Sequence, residues 1–339
     1  MIPDIQPKPQ TWKTALAAAH RDIQALAGKL GLTRQQCRAA QGGHKDFPIL
    51  VPSAWLKLIA RGDPDDPLLR QVLPGKEETT STPGYSCDPV GDLDSMVVPG
   101  LLHKYHGRVL LVVAGGCAIN CRYCFRRHFP YRNAQLSQNL GPALAYISKH
   151  PEISEVILSG GDPLLLSTPR LAQLAADLAA LPHIQRIRLH TRMPVVLPER
   201  IDATLLDWLR RLELPIVMVV HCNHAREIDA RAQGALMALH AAGCTLLNQS
   251  VLLQGVNDRV QVLADLSERL FACHVLPYYL HQLDRVSGAA HFSVDDDDAQ
   301  LLMHGLRGRL PGYLVPKLVR ELAGAECKQE VVRNPPTGI

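Results

Sequence analysis

Six short runs of apolar and β-branched residues, each trailed by a helix-like stretch, set the strongest limit on how this chain can fold. They are "RVLLVVA" (108–114), "EVILSG" (155–160), "RIRLHT" (186–191), "PIVMVVH" (215–221), "TLLNQSVLL" (245–253) and "HVLPYYL" (274–280). Between them lie "RLAQLAADLAAL", "ATLLDWLRRL", "AREIDARAQGALMALHAAG" and "RVQVLADLSERLFA", which carry helical periodicity. From the second run onward the starts fall about 30 residues apart, the length of a strand-plus-helix unit. The expected fold is α/β: a partial parallel (β/α)6 barrel, two units short of the eight-stranded form, with an open doubly wound sheet as the alternative. Residues 1–100 read as a helical and irregular N-terminal region, with one helix over 11–31 capped by Thr11. Residues 101–290 hold the barrel and 291–339 form a C-terminal segment.

In parallel α/β folds chemistry gathers beyond the C-terminal strand ends, and the conspicuous residues lie there. "GGCAINCRYCFRRHF" (115–129) follows the first run and places Cys117, Cys121 and Cys124 in a C-x3-C-x2-C loop. A structural zinc site takes four ligands, as does an ordinary [4Fe–4S] cluster. Three thiolates on a cluster leave one iron open to an outside ligand. Zinc completed by His128, or three incidental cysteines, are the other readings of these residues.

"LSGGDPL" (158–164) ends the second run. Its paired glycines permit close backbone approach and leave N–H groups free for an anion or amino acid. Three lysines follow the cysteine loop: Lys149, Lys317 and Lys328. Lys149 reads as a solvated helix cap and Lys317 lies in a strand-like run. Lys328 sits in a loop of small residues, where an amine has room to take a carbonyl cofactor; composition alone leaves it a surface lysine. His221, Asn223, Asn248 and Gln249 stand at later strand ends and are candidates to line a cavity. "DDDD" (295–298) reads as a solvated first helical turn that complements the helix dipole. Arg122, Arg126, Arg127 and Arg132 read as a solvated basic run, from which Arg126 stands out as a candidate carboxylate binder.

The cysteine loop, with Tyr123 before its third cysteine, resembles the signature of the radical S-adenosylmethionine (SAM) superfamily. The resemblance implies a [4Fe–4S] cluster on Cys117, Cys121 and Cys124, SAM chelating the open iron, and homolysis of SAM to a 5′-deoxyadenosyl radical. Gly160, Gly161 and Asp162 match the superfamily's motif for the SAM amino group. Over about residues 64–330 the chain resembles the lysine 2,3-aminomutases, through "DPLLRQVLP", "VPGLLHKYHGRVLL", "LLNQSVLLQGVND", "PYYLHQLDRVSGAAHF" and "GYLVPKLVREL". That family implies pyridoxal 5′-phosphate (PLP) on Lys328, with Arg108 near its phosphate. It also implies Arg126 on the substrate carboxylate, with Asp284 and Glu321 on the lysine ε-ammonium. Two features depart from the family pattern. Glu321 stands where the catabolic enzymes carry aspartate, and the Gly-rich loop before the PLP lysine is reduced to "GAEC".

The short length, "HKYHGR" and "CRYCFRRHFPY" are most similar to the branch that makes (R)-β-lysine for elongation factor P. The implied reaction is an isomerisation of L-lysine. The implied partners are elongation factor P, its lysyl ligase, and an electron donor such as flavodoxin or ferredoxin. A catabolic or biosynthetic amino-acid 2,3-aminomutase, and a zinc-stabilised module without catalysis, are the alternatives.

Charge and composition exclude other classes. A net charge of +4 over 339 residues gives no electrostatic case for nucleic-acid binding. No apolar run reaches the roughly 20 residues of a membrane span. The polar, Pro-rich start has no apolar leader. Nine cysteines with no disulfide spacing point to reduced thiols and a cytoplasmic protein.

Overall fold

The computed structural model describes residues 11–33, 42, 43, 45, 47–134 and 136–332. Its centre is a ten-stranded sheet whose strands lie in strict chain order. They are β1 (Met96–Val98), β2 (Leu101–Tyr105), β3 (Arg108–Ala114), β4 (Glu155–Gly160), β5 (Arg186–Thr191), β6 (Ile216–Val220), β7 (Thr245–Val251), β8 (Val275–His281), β9 (Lys317–Arg320) and β10 (Gln329–Glu330). β3 through β9 pair in parallel, while β1, β2 and β10 flank them antiparallel. The six expected runs are β3 to β8. β9 adds a seventh parallel strand, so the sheet continues past residue 290 into the C-terminal segment.

A doubly wound sheet reverses its strand order at a switch point. Here the order never reverses, and the sheet curls around one internal cavity instead, as a partial barrel does. The crossover helices cover its outside with apolar stripes. Thr168–Ala179 buries Leu171, Leu174, Ala175 and Leu178, the spacing of one helix face. Val260–Phe271 does the same with Leu263, Leu266 and Leu270. Leu266 and Leu270 join the Thr168–Ala179 face, β3 to β8 and the N-terminal segment in one large core, while Leu263 packs in a smaller cluster with Met303 and Leu318.

Alternation decides which residues look inward. In β7, Leu246, Asn248 and Ser250 are buried, while Gln249 and Val251 line the cavity. Asn248 therefore faces away from it. Its amide serves the fold, accepting from the Cys222 N–H at 3.0 Å and donating to Ser250 Oγ at 2.8 Å.

The expected helix over 11–31 is two helices, Trp12–Ala17 and Ile23–Leu30. Thr11 caps the first, accepting from the Thr14 N–H. Asp22 caps the second, accepting from the Ala25 N–H at 2.6 Å, and His20 between them bridges to Val51. A capping aspartate is a start signal, and here it outweighs the continuous apolar pattern. Asp295 likewise caps Asp296–Arg307, whose first turn carries the acidic run.

Candidate active site

The barrel interior is a cavity of about 360 Å³. It reaches from Cys117, Cys121 and Cys124, past the C-terminal end of β3, to Arg108 at that strand's first residue. Gly160, Gly161, Asp162, Arg126, Asp284, Glu321 and Lys328 all line it as well. Residues spread over more than two hundred positions thus share one chamber. His221, Asn223 and Gln249 also line it. Lys317 does not, being exposed on β9. His128 is exposed too, its ring against the Ser287 carbonyl at 3.1 Å, and it contributes nothing to the cysteine site.

The cysteine loop is fixed from outside by the N-terminal region. Arg122, fully buried, donates to the carbonyls of Phe47 at 2.6 Å and Gly43 at 3.0 Å and pairs with Glu78. Arg127 shares Glu78 at 2.6 Å. The Asn120 and Arg122 N–H groups donate to the Leu50 and Gln71 carbonyls. The "solvated basic run" is therefore mostly interior: upstream carboxylates neutralise Arg122, Arg126 and Arg127, and only Arg132 of the four is exposed.

Burial pushes the Cys117 thiol up, reinforced by Cys124, and pushes Cys124 to about 11, reinforced by Cys121. Such thiols become thiolates only when a bound cation replaces their protons. Among the described residues no three Cys, His, Asp or Glu side chains converge on one ion. A cluster does not require that, since each thiolate meets its own iron. The donor set therefore fits an iron–sulfur cluster with one iron unligated by the protein.

Arg192, at the end of β5, donates to Cys121 Sγ through Nη1 at 2.6 Å. Its Nη2 donates to Gln71 Oε1 at 2.7 Å and Glu227 Oε2 at 3.1 Å. Asn223 donates to Gln71 Oε1 and to the Tyr123 hydroxyl oxygen, at 3.1 and 2.7 Å. This buried network positions the middle cysteine.

The glycine turn works differently from expectation. A Cβ on Gly161 would lie 1.8 Å from the Gly116 carbonyl oxygen, and Gly160 has φ +113°. The turn is glycine because the start of the cysteine loop lies directly on it. Its N–H groups are not free: Gly161 donates to the Ala114 carbonyl and Asp162 to that of Gly116, both at 2.8 Å. Those two N–H groups are therefore not available to an anion, and the Gly160 carbonyl accepts from the Tyr131 hydroxyl at 3.0 Å. Asp162 is spoken for as well. Its carboxylate accepts from Thr191 Oγ1 and from the N–H groups of Arg192 and Leu164. It braces two strand ends, and burial raises its pKa.

The other cavity wall is a chain of charges. Arg126 donates through Nε to Asp92 at 2.6 Å and through Nη1 to Ser159 at 3.2 Å, which leaves Nη2 unpartnered among the described residues. Asp92 also holds Lys104 at 2.6 Å; Lys104 holds Glu321 at 3.0 Å, and Glu321 holds Lys328 at 2.5 Å. The two lysines hold the Glu321 carboxyl down at about 2 against the effect of burial. Asp284 is the contrast. Its Oδ1 is buried with no partner, and burial with the Glu321 charge lifts its pKa to about 7. A buried acceptor left open in a cavity fits a ligand ammonium.

Around Lys328 the chamber also presents Arg108, Arg188 and Tyr279, with both guanidinium charges acting on the Tyr279 hydroxyl. Arg188 Nε is buried and unpartnered. Arg188 also pairs with Glu155 through Nη2, and an amine sharing a cavity with two guanidiniums suits a phosphate-bearing aldehyde such as PLP. Burial lowers the pKa of His190, His221 and His281, His221 to about 4. Each places a buried, unpartnered Nε2 in the cavity. Sequence analysis misses His190, Arg188, Asp92 and Lys104, and no local pattern marks the last two. Inward alternation along "RIRLHT" is the one signal that could have found the first two.

The radical SAM superfamily model matches residues 111–219, the span of β3 to β6 with the cysteine loop. An L-lysine 2,3-aminomutase of Escherichia coli (strain K12) is 48% identical over 324 residues, covering 95% of this chain and 94% of that protein. One from Haemophilus influenzae is 46% identical, covering 94% and 95%. One from Clostridium subterminale is 34% identical, covering 95% of this chain and 78% of that protein.

Proposed function

Because this chain belongs to the L-lysine 2,3-aminomutase family of radical SAM enzymes, we propose that it converts L-lysine to (R)-β-lysine in its barrel, with PLP on Lys328. The observation that carries the reading is the single chamber joining three cysteine thiols to Lys328, with an open carboxylate oxygen on Asp284 between charged walls. When bound, the cluster with SAM supplies a hydrogen-abstracting radical, and PLP supplies a conjugated acceptor for the migrating amino group.

The chain's own residues do the rest. Cys117, Cys121 and Cys124 hold three irons, and Arg192 steadies Cys121. The backbone at Gly160 and Gly161 offers acceptors to an amino group. Arg108 and Arg188 hold a phosphate. Arg126 Nη2 takes the substrate carboxylate, and Asp284 takes the distal ammonium, fixing the substrate at both ends. The barrel wall keeps water from a reactive carbon radical.

We further propose that the product passes through a ligase to elongation factor P, with flavodoxin or ferredoxin as electron source, a reading that rests on the sequence resemblance and fits the match in length to the shorter relatives. The E. coli and H. influenzae proteins match over nearly their whole length, whereas the longer clostridial one carries sequence this chain does not cover. Among the described residues no helix is long and apolar enough to cross a membrane. The test is incubation of reconstituted protein with SAM, PLP, a reductant and L-lysine. β-Lysine is the expected product, and its absence from protein holding a full cluster and PLP overturns the reading. A strain lacking the protein should lose the β-lysyl mass increment on elongation factor P and regain it when fed β-lysine.

A further inference from the structure

The cysteine loop is closed on two sides. Its inner side faces the chamber, and the N-terminal segment covers it from outside through Arg122 and Arg127 on Glu78. Gly115 and Gly116, at its start, are exposed. Gly115 opens onto a crevice of about 410 Å³ that shares no lining residue with the chamber. The crevice lies at the C-terminal end of β3, between the helices Leu136–Ser148 and Thr168–Ala179, with Leu140, Leu166 and Leu174 in its walls. Two residues of chain, at most ~7 Å, separate Gly115 from Cys117. Tyr131 is the other partition: it lines the crevice, and its hydroxyl donates to the Gly160 carbonyl in the chamber wall at 3.0 Å.

Two guanidiniums stand at this crevice, Arg132 and Arg170, and among the described residues no acid lines it. Both are exposed, and neither has an ion pair or a side-chain hydrogen bond among the described residues. Arg132 is the exception in its own run, since carboxylates neutralise Arg122, Arg126 and Arg127. Arg170 sits in the first turn of its helix, where the dipole disfavours a cation, so the helix gains nothing from it. Apolar walls under unpaired positive charge complement a surface of carboxylates around an apolar centre. Such charge also steers an acidic partner to the crevice.

We propose that this crevice is where the cluster's electron donor docks: a small acidic protein carrying a one-electron cofactor, its carboxylates on Arg132 and Arg170. One electron leaves the donor's cofactor, which is oxidised, and enters the cluster, which is reduced; no bond is made or broken. The donor approaches the cysteines without entering the chamber, so a substrate can stay enclosed while the electron arrives. This rests on the cluster reading given above and adds the surface, and two residues, that hold the donor.

The test uses the full-length, cluster-loaded protein with reduced flavodoxin as the probe. Wild type is compared with Arg132→Glu/Arg170→Glu, with Arg132→Gln/Arg170→Gln, and with the control Lys149→Glu/Lys317→Glu, which reverses two exposed charges outside the crevice. Calorimetry gives the dissociation constant, and 5′-deoxyadenosine formation from SAM is driven either by flavodoxin or by dithionite. The Glu pair should raise the dissociation constant, and the flavodoxin concentration for half-maximal rate, roughly tenfold at low salt. The Gln pair should do so by less. The difference from wild type should fade near about 1 M salt, where the Debye length is ~3 Å. The dithionite-driven rate and the iron content should not change. An unchanged dissociation constant in the Glu pair, an equal loss in the Lys149/Lys317 control, or an equal loss with dithionite each overturn the assignment. So do wild type that binds no flavodoxin, and a Glu pair that differs from wild type only in self-association. Formation of β-lysine with dithionite is scored separately, so failure of the docking and failure of the functional reading give different results.

Discussion

Arg192 places one terminal nitrogen 2.6 Å from Cys121 Sγ and the other within hydrogen-bond reach of Glu227, so a single guanidinium ties a cluster ligand to a fully buried acid. A donor and positive charge at a cluster sulfur favour the reduced state. Arg192→Gln should lower the cluster's midpoint potential, read by potentiometric titration in the absence of SAM. It should also cost about 3 kcal/mol of stability, because Glu227 is left buried without its cation. An unchanged potential with full iron content would show that the contact is only structural.

Gly161 is sterically obligatory, since a Cβ there would overlap the Gly116 carbonyl. Gly161→Ala should displace the cysteine loop, lowering both the melting temperature and the iron bound per chain. Gly234, exposed within Ala230–Ala241, provides the matched control, since a methyl added there would meet nothing within 4 Å. Gly234→Ala should raise stability by ~0.5–1 kcal/mol and leave iron content alone.

Lys328 borders the chamber and Lys317 does not. Lys328→Ala should abolish the visible absorbance of protein-bound PLP and all turnover while retaining the cluster. Lys317→Ala should keep both. The reverse pattern would relocate the cofactor.

Asp284 carries a raised pKa, about 7, from burial and the Glu321 charge in the ligand-free protein. For an acid whose folded pKa lies above its unfolded one, the native state binds the extra proton, so stability falls as pH rises from about 4 to about 7. Glu321, held at about 2, acts in the opposite sense, losing stabilisation only as pH drops below about 4. Asp284→Asn should therefore flatten the decline between pH 4 and 7. It should also weaken L-lysine capture more than tenfold and remove the improvement in capture expected of wild type as pH passes about 7, all with cluster content unchanged.

What is legible in the residues and what is not follows from range. The strands β3 to β8 and the cysteine loop are written in consecutive residues, as alternating apolar runs and as C-x3-C-x2-C. Gln71, Arg192 and Glu227 form one buried network across 156 positions, and no local pattern announces it. Asp92 and Lys104 look like ordinary surface charges until the fold sets Arg126 and Glu321 against them. Asn248 and Gln249 both look like cavity candidates by position, yet neighbours on a strand point to opposite faces, so alternation alone removes one of them. Free N–H groups at Gly160–Gly161 follow from the turn taken without the loop that packs on it.

Strands in chain order carry one more implication. Each strand from β1 to β9 pairs with its immediate successor, so the sheet can grow outward from either end without waiting for a remote segment. Lys104 and Glu321, 217 positions apart, meet across the seam, and loop-closure entropy makes that junction the most expensive to form. The chamber is then expected to be the last part of the molecule to assemble and the first to loosen, so occupancy by cofactor and amino acid should set how long the native protein survives.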